Sequence, residues 1–241
     1  MNAFDVIEAA TEADLVDEGG EPIAWKALPG LSSEAVAALE RKLGFEPPGE
    51  LLDLLPRCAG VEGPLDDIWF DGRIGGFGQD DIFPKGIPIA PDGFGNFWVL
   101  DVQGNAPAGV PVFFACHDPP VILHQADSIA GFLSEVVRMY QPPHQSLVTD
   151  VYDVRSFDVW RKNPGTLTVA EAASRDEQLR AFAASLDSRF TIVDLRGARP
   201  GMGFSWGRHG PRTEIRRHGD LPIFAYAAPP RRSVWSRLTG G

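Results

Sequence analysis

The sequence predicts an α+β fold, in which a mixed, mainly antiparallel sheet is packed by helices and is followed by a C-terminal helix-plus-small-sheet extension. Three patterns predict it: amphipathic helical segments at the start, short β-branched and aromatic segments from residue 67, and a helix-then-strands pattern in the last third. The 241-residue chain has 44% hydrophobic and 23% charged residues, which is typical of a folded domain and excludes a largely disordered protein.

The first elements are helical. We predict one helix over residues 4–18 and a second after Ser32, whose hydroxyl can cap a segment that ends at the potential left-handed cap Gly44. The next segment, GELLDLLPRCAG, places Leu51, Leu52, Leu55 and Cys58 on one helical face. A third helix that ends at Gly60 is therefore predicted.

Five strands follow: DIWFD, IPIA, NFWVLDV, PVFFAC and VILHQA are short apolar runs separated by Gly, Pro, Asn and Asp. Between the second and third of these, Gly93, Gly95 and Asn96 form a structural turn that needs positive φ in at least one position. These glycines precede a strand, whereas the glycines of a dinucleotide-binding loop lie between a strand and a helix. A phosphate-binding loop is therefore disfavoured.

A closing helix begins at Asp127-Ser128 and carries apolar residues at i, i+3, i+4 and i+7 until Pro142-Pro143. We place the domain boundary just beyond it, with residues 1–145 as one domain and residues 146–241 as a C-terminal α+β extension of unknown function. In the extension, SLVTDVYDVRSFDVWRKN is predicted as a helix, and capping boxes are predicted at Thr168–Glu171 and Ser174–Glu177. Four further strands are predicted: FTIVDL, MGFSWG, TEIRRH and PIFAYA.

Charge is distributed unevenly along the chain. Residues 1–150 hold 24 acidic and 7 basic residues, for −17, and residues 151–241 hold 9 and 15, for +6. The negative field of the first part repels nucleic acid and attracts cationic partners, although it could serve solubility alone. Six arginines of the last third could bind phosphate or could pair with the acidic first part, which we prefer: Arg196, Arg199, Arg208, Arg212, Arg216 and Arg217.

Cys116, His117 and Asp118 suggest a nucleophile site at first sight. Successive residues of a strand point to opposite faces, so three neighbours do not converge on one reacting atom, and we predict that they are structural. The five histidines and two cysteines show no metal-ligand spacing. We therefore predict no catalytic residue, no metal and no cofactor, while an enzyme that uses Cys116 or a carboxylate pair stays open as a third hypothesis.

One stretch combines aromatic residues with many acids, as a protein-binding surface requires. We predict residues 66–83 as the principal partner contact. The alternative is that these acids are solvated loop charges. Trp69 and Phe70 cannot both be anchors if this segment is a strand, because one of them must then face the core. The predicted partner-binding residues are Asp66, Asp67, Trp69, Asp71, Asp80 and Asp81.

The acidic N-terminus lacks the features of a secretory signal, and the sequence has no run of about 18 apolar residues that could cross a membrane. The two cysteines provide no disulfide framework. We therefore expect a cytoplasmic protein without a membrane partner.

An ordered set of motifs over roughly residues 30–140 resembles the SUKH superfamily, in the branch related to the fungal Smi/Knr cell-wall assembly regulators. The motifs are the Pro-led segment PPGELLDLLPRCAG, the turn and strand GIPIAPDGFGNFWVLDV, and the closing helix in HQADSIAGFLSEVV. A departure is Cys58-Ala59-Gly60, where many members have Asn-Gly-Gly. Residues 145–241 are similar to a segment of some bacterial members.

The resemblance implies an α+β fold, a protein-binding role and no catalytic residues. Bacterial members are inferred to be immunity proteins that neutralise toxins by binding, often nucleases or deaminases, and fungal members are signalling hubs. We therefore expect a non-enzymatic immunity protein for a cationic toxin domain. The alternative is a regulatory or scaffold protein without a toxin partner, and the sequence indicates no oligomeric state.

Overall fold

The computed structural model describes residues 1–76, 78–102 and 109–229. Helices and short strands alternate in the first part. They are α1 (Ala3–Thr11), β1 (Lys26–Pro29), α2 (Ser33–Leu43), α3 (Gly49–Leu54), β2 (Cys58–Glu62) and β3 (Ile68–Trp69). The Ser32 hydroxyl accepts from the Ala35 amide and Gly44 adopts φ 75°, so both predicted caps of α2 are confirmed.

A five-stranded antiparallel sheet forms the centre of the protein. Its strands lie in the order β10-β7-β6-β5-β4. They are β4 (Gly86–Pro91), β5 (Phe97–Asp101), β6 (Val112–His117), β7 (Pro120–Ala126) and β10 (Gly203–Phe204). The strands predicted in IPIA, NFWVLDV, PVFFAC and VILHQA are thus confirmed, and MGFSWG supplies the fifth.

Helices cover one side of this sheet. Trp98, Leu100, Phe114 and Leu123 belong to a buried cluster together with apolar residues of α1, α3 and α4 (Ile129–Met139). Helix α4 begins at Ser128, whose hydroxyl accepts from the Gly131 amide as the sequence predicts. Residues 147–162 continue this layer as α5 (Leu147–Thr149), a π-helical turn (Asp150–Arg155) and α6 (Ser156–Lys162). We call this covered side the helix side.

The later part of the C-terminal extension, from Asn163 onward, covers the opposite side, which we call the extension side. Alternate residues of the same strands, including Val99, Phe113 and Ile122, pack on Phe204 and Phe224 of the extension. The remaining elements are β8 (Thr166–Thr168), α7 (Val169–Ala173), α8 (Glu177–Ala184), β9 (Thr191–Asp194), β11 (Glu214–Arg217) and β12 (Ile223–Ala227). Strands β11-β12-β9-β8 form an antiparallel sheet.

The predicted α+β class is therefore confirmed. Every strand pairing within the described part of the chain is antiparallel. The contacts cross the predicted boundary at residue 145, because β10 pairs with β7 and Val148 joins the helix-side core. The division into two domains stays a prediction.

Two predicted helix boundaries in the first part are wrong. The first helix ends at Thr11 rather than near residue 18. The third helix ends at Leu54, and Cys58–Glu62 is strand β2 instead of the end of that helix. Gly60 lies opposite Trp69 in β3, where an added Cβ would be 2.4 Å from the carbonyl oxygen of Ile68. Glycine is therefore needed here for close strand approach, not for ending a helix.

In the extension, the capping box at Thr168–Glu171 is confirmed. The one predicted at Ser174–Glu177 is wrong. Asp176 is the N-cap of α8, and it accepts from the amides of Gln178 and Leu179. The Ser174 hydroxyl instead donates to the Glu171 carbonyl at 2.7 Å. Asp176 is nearer to α8, and its carboxylate satisfies the free amides at the start of that helix.

Across the described residues, every helix is too short or too polar to cross a membrane.

Candidate functional site

A cavity of about 570 Å³ opens on the helix side, where the ends of several elements meet. Acidic residues dominate its polar lining, and no Lys, Arg or His is among the described residues that line it. None of these acids forms an ion pair with a described residue. The acids are Asp17, Glu18, Asp66, Asp92 and Asp153.

Aromatic side chains form a second part of the cavity wall. Trp98 is 2% exposed, and its ring centroid lies 6.3 Å from that of Tyr152, with the two planes within 20° of each other. Tyr152 belongs to the π-helical turn, a local widening that is frequent at functional sites. Tyr140, which follows the end of α4, adds a third ring. The cavity therefore combines negative charge with aromatic surface.

Asp92 organises the turn between β4 and β5. One of its carboxylate oxygens accepts from the amides of Phe94 and Asn96, at 2.8 and 2.9 Å. The other accepts from the Asn96 side chain at 2.5 Å and from the Tyr152 hydroxyl at 3.0 Å. The hydrogen-bonding capacity of this carboxylate is thus used within the protein, and Asp92 supplies charge to the cavity rather than a free acceptor.

Gly93 and Gly95 adopt φ values of 75° and 90°, so the positive φ predicted for this turn is confirmed. Gly93 also has no room for a side chain, since an added Cβ would lie 2.8 Å from a carboxylate oxygen of Asp66. The turn therefore packs closely against the segment that carries Asp66.

That segment has an unusual backbone. Leu65, Asp66 and Asp67 have φ values of 52°, 53° and 73°, which non-glycine residues rarely adopt. Such conformations cost on the order of 1–3 kcal/mol each and are found mostly at functional sites. Asp67 helps to hold this shape, because its carboxylate accepts from the Gly63 amide at 2.7 Å. Asp66 is exposed and makes no hydrogen bond within the described part of the chain, so its carboxylate can accept one.

Burial and the negative charge of the cavity raise the pKa of both tyrosines. Burial, the hydrogen bond to Asp92 and the charge of that carboxylate, in that order, raise the pKa of Tyr152 to about 12. Burial is also the main cause that raises the pKa of Tyr140, and the charges of Asp66 and Asp17 raise it further. Both phenols therefore remain neutral hydrogen-bond donors near neutral pH.

Phe94 lies two residues beyond Asp92, and 76% of its surface is exposed. Phe94 thus combines an exposed aromatic ring with a hydrogen bond to an acid of the cavity, which is the combination predicted for residues 66–83. The sequence signal was present, because Phe94 stands between two turn glycines where no core position requires it.

The structure separates the predicted partner-binding residues. Asp66 lines the cavity, whereas Asp80 lines another cavity of about 200 Å³. Trp69 is half-buried beneath the Arg73 guanidinium, whose central carbon is 3.9 Å from the ring centroid. Asp71 pairs with the same guanidinium at 2.6 Å, and Asp81 is exposed. Phe77, within the predicted range 66–83, lies outside the described residues. The role of this range in partner binding stays a prediction.

Cys116, His117 and Asn96 form a structural corner. Cys116 is 3% exposed, and burial is the main cause that raises the pKa of its thiol to about 11. The amide and ring Nδ1 of His117 both lie 2.9 Å from the side-chain oxygen of Asn96, and the indole of Trp206 donates to the Cys116 carbonyl at 3.0 Å. A buried thiol that stays protonated at neutral pH is a poor nucleophile. Within the described ranges, no three His, Cys, Asp or Glu side chains are grouped to hold a metal ion.

The arginines of the extension pair in two ways. Arg217 forms a buried ion pair with Asp101 of the central sheet at 2.7 Å, with side chains 4% and 1% exposed. Arg196 pairs instead within the extension, with Asp176 and Asp194 at 2.6 and 2.7 Å. The predicted contact between the basic last third and the acidic first part thus applies to Arg217 and not to Arg196.

Residues 30–135 match the family described as SMI1 / KNR4 family (SUKH-1). No curated protein matches the chain.

Proposed function

Because residues 30–135 belong to the SMI1/KNR4 family (SUKH-1), we propose that the protein is a non-enzymatic binding module, and specifically an immunity protein that neutralises a toxin domain by stoichiometric binding. The family is consistent with both immunity and regulatory roles, and its members are generally binding proteins. The proposed partner is a cationic toxin domain, of the nuclease or deaminase kind, that is met in the cytoplasm.

One observation carries the proposal: an acid-lined cavity includes Asp92, whose carboxylate accepts from the amide of the exposed residue Phe94. A few desolvated aromatic contacts usually dominate the affinity of a protein interface, and complementary charge raises the association rate and fixes orientation. Phe94 is therefore the anchor, and the exposed acids Glu18, Asp66 and Asp153 steer the partner. Asp66 is shared with the partner contact predicted from the sequence, whereas Asp80 lines a different cavity.

The chemistry of the remaining candidates supports binding over catalysis. The Cys116 thiol is buried and protonated at neutral pH, and His117 is engaged by Asn96. Both carboxylate oxygens of Asp92 accept hydrogen bonds from internal donors, so neither oxygen is free to contact a substrate.

The alternative is a regulatory or scaffold protein of the cell-wall assembly regulator type with no toxin partner. The matched family is consistent with this role as well. The two functions differ in one cheap observation, namely whether a toxin-like reading frame stands immediately upstream in the genome.

Co-expression tests the proposal. The product of the upstream reading frame is induced in bacteria with this protein, and growth is followed together with the mass of the purified complex. We expect restored growth and a complex of fixed stoichiometry. The double variant Asp66→Lys/Asp153→Lys should protect poorly, whereas Asp80→Lys/Asp81→Lys, with the same change in charge, should protect as the natural chain does.

If the natural chain neither protects nor forms the complex, the immunity function is wrong and the regulatory alternative takes its place. If both double variants lose protection equally, the protein binds the toxin but not through the cavity.

A further inference from the structure

We propose that the acidic cavity is a receptor for an arginine side chain that the partner inserts. This inference rests on the proposed function only in taking the partner to be a protein. It follows from three properties of the cavity, which are its uncompensated charge, its aromatic wall and its size.

The charge of the cavity has no internal counterpart. Five carboxylates line it, and no described residue provides a cation to any of them. Glu18, Asp66 and Asp153 are exposed and make no hydrogen bond with the described residues, so their oxygens can accept from a ligand. Asp92 is saturated, but its charge adds to the field. A cation that entered the cavity would therefore meet free acceptors as well as a negative potential.

The aromatic wall favours arginine over lysine. A guanidinium is planar, stacks on aromatic faces and bonds carboxylates with two parallel N–H groups, while an ammonium is a compact and strongly hydrated charge. The protein already holds one of its own guanidinium groups in this way. Arg73 lies 3.9 Å above the Trp69 ring centroid and 2.6 Å from a carboxylate oxygen of Asp71. The cavity offers Tyr152 and Tyr140 with Asp66 and Asp153, the same pair of chemistries without the arginine.

The size of the cavity fits an inserted side chain with part of its backbone. Its volume of about 570 Å³ lies within the range of about 300–1,000 Å³ of sites that bury small ligands. The exposed Phe94, whose amide donates to the cavity residue Asp92, would contact the residues that flank the arginine. The cavity thus recognises a protruding loop of the partner rather than a flat surface.

A titration with capped amino acids tests the inference without a partner protein. N-acetyl-arginine-N-methylamide is added to the full ¹⁵N-labelled chain, and the assigned indole N–H signal of Trp98 and the backbone amides around Asp66 are followed. The matched control is N-acetyl-citrulline-N-methylamide, which has nearly the same shape and no charge. We expect saturable shifts of these signals with the arginine compound. The Kd of the citrulline compound should be at least tenfold higher.

Two further ligands identify the chemistry. N-acetyl-lysine-N-methylamide should bind more weakly than the arginine compound, because it lacks the planar stacking group. Spermidine should not displace the arginine compound at equal concentration. If lysine binds as well as arginine or better, the assignment to arginine is wrong. If spermidine binds more tightly, the cavity is a polyamine site and not a receptor for a protein side chain.

The variants locate the site. Asp66→Asn/Asp153→Asn should raise the Kd for the arginine compound at least tenfold, and Asp80→Asn/Asp81→Asn should leave it unchanged. Equal weakening by both pairs, or equal binding of citrulline, would overturn the inference. If the protein protects from a toxin but does not bind the arginine compound, the arginine receptor is wrong and the proposed function stands. Arginine binding without protection would overturn only the immunity function.

Discussion

The two sides of the central sheet use charge in opposite ways. On the helix side, the carboxylates of Asp66 and Asp153 are exposed and have no cationic partner among the described residues. On the extension side, Asp101 is 1% exposed and pairs with the equally buried Arg217. The same residue type therefore serves recognition on one side and internal packing on the other. The difference is that the later part of the extension, from Asn163 onward, covers one side, whereas the helix side keeps an open cavity.

This difference separates effects on stability from effects on binding. Changes to the buried pair should alter the free energy of unfolding, and changes to the cavity edge should alter affinity for a partner. A loss of stability in a cavity-edge variant, or a loss of affinity alone in a buried-pair variant, would contradict this separation.

The largest expected effect is that of Arg217→Met. It removes the guanidinium that pairs with the buried carboxylate of Asp101, and breaking a buried pair in this way costs roughly 3–5 kcal/mol. Urea unfolding followed by fluorescence should show the loss. The control Arg212→Met, at an exposed arginine with no hydrogen bond or ion pair to a described residue, should change stability by less than about 0.5 kcal/mol. Equal losses in both variants would mean that the pair does not hold the extension to the sheet.

Phe94→Ala should lower the affinity for the partner and not the stability. The ring is 76% exposed, so folding gains little from it, whereas an aromatic anchor in an interface contributes about 2 kcal/mol or more, roughly a thirtyfold change in Kd. Trp69→Ala is the contrasting variant. Its ring is half-buried under Arg73, so it should lose stability first. Calorimetric titration measures the affinity of both variants for the partner, and thermal unfolding measures their stability. A stability loss in Phe94→Ala would contradict the assignment of Phe94 as the anchor.

Gly93→Ala should destabilise the protein by about 1–2 kcal/mol, because alanine is strained at φ 75° and its Cβ would meet the Asp66 carboxylate at 2.8 Å. Gly93→Val should reduce folded protein further. The matched control is Gly49→Ala in α3, where an added Cβ meets nothing within 4 Å. That change should be neutral or slightly stabilising, since alanine favours helix. A neutral Gly93→Ala would show that the turn tolerates a side chain.

The smallest effect concerns Cys116. Its pKa is raised from 9.0 to about 11, so the folded state holds the thiol proton more tightly than the unfolded state. This contribution to stability is fully present below pH 9.0 and is lost as the pH rises through about 11. Unfolding measured between pH 8 and 11 should show the natural chain losing more stability than Cys116→Ser. Alkylation by iodoacetamide at pH 8 should be slow until the protein is unfolded, and rapid alkylation of the folded chain would reopen the nucleophile hypothesis.

Cys116→Ser and His117→Asn should also change stability before they change partner binding. A variant with natural thermal unfolding but no biological activity would contradict the structural role of this corner.

Much of the fold could be predicted because local signals act over a few residues. The Ser32 and Ser128 caps, the left-handed Gly44 and the two positive-φ glycines of the β4–β5 turn depend on neighbours in sequence alone. Strand β2 could not be predicted in the same way. Its apolar residues also suit a helix, and only the close approach of Ile68 explains why Gly60 stands in a strand.

The candidate site could be predicted only in part, since it is assembled from segments far apart in the chain. Asp66 was identified from its acidic neighbourhood, but Asp17, Asp92 and Asp153 join it through tertiary packing that no local pattern encodes. Asp80, which was predicted together with Asp66, lines a different cavity. The sequence does indicate that both faces of the central sheet are covered. The continuous apolar runs of β5, β6 and β7 are typical of strands buried on both faces.

The most direct test of the central claim, that the cavity edge steers and holds the partner, is association kinetics at low and high salt. The product of the upstream reading frame is mixed with the natural chain, with Asp66→Lys/Asp153→Lys and with Asp80→Lys/Asp81→Lys. We predict that the first pair lowers the association rate constant about tenfold at low salt and flattens its salt dependence, because exposed charges steer association and are screened by salt. The second pair, in the loop, should change both quantities much less. Equal effects of the two pairs, or an unchanged rate and salt dependence for Asp66→Lys/Asp153→Lys, would contradict the claim.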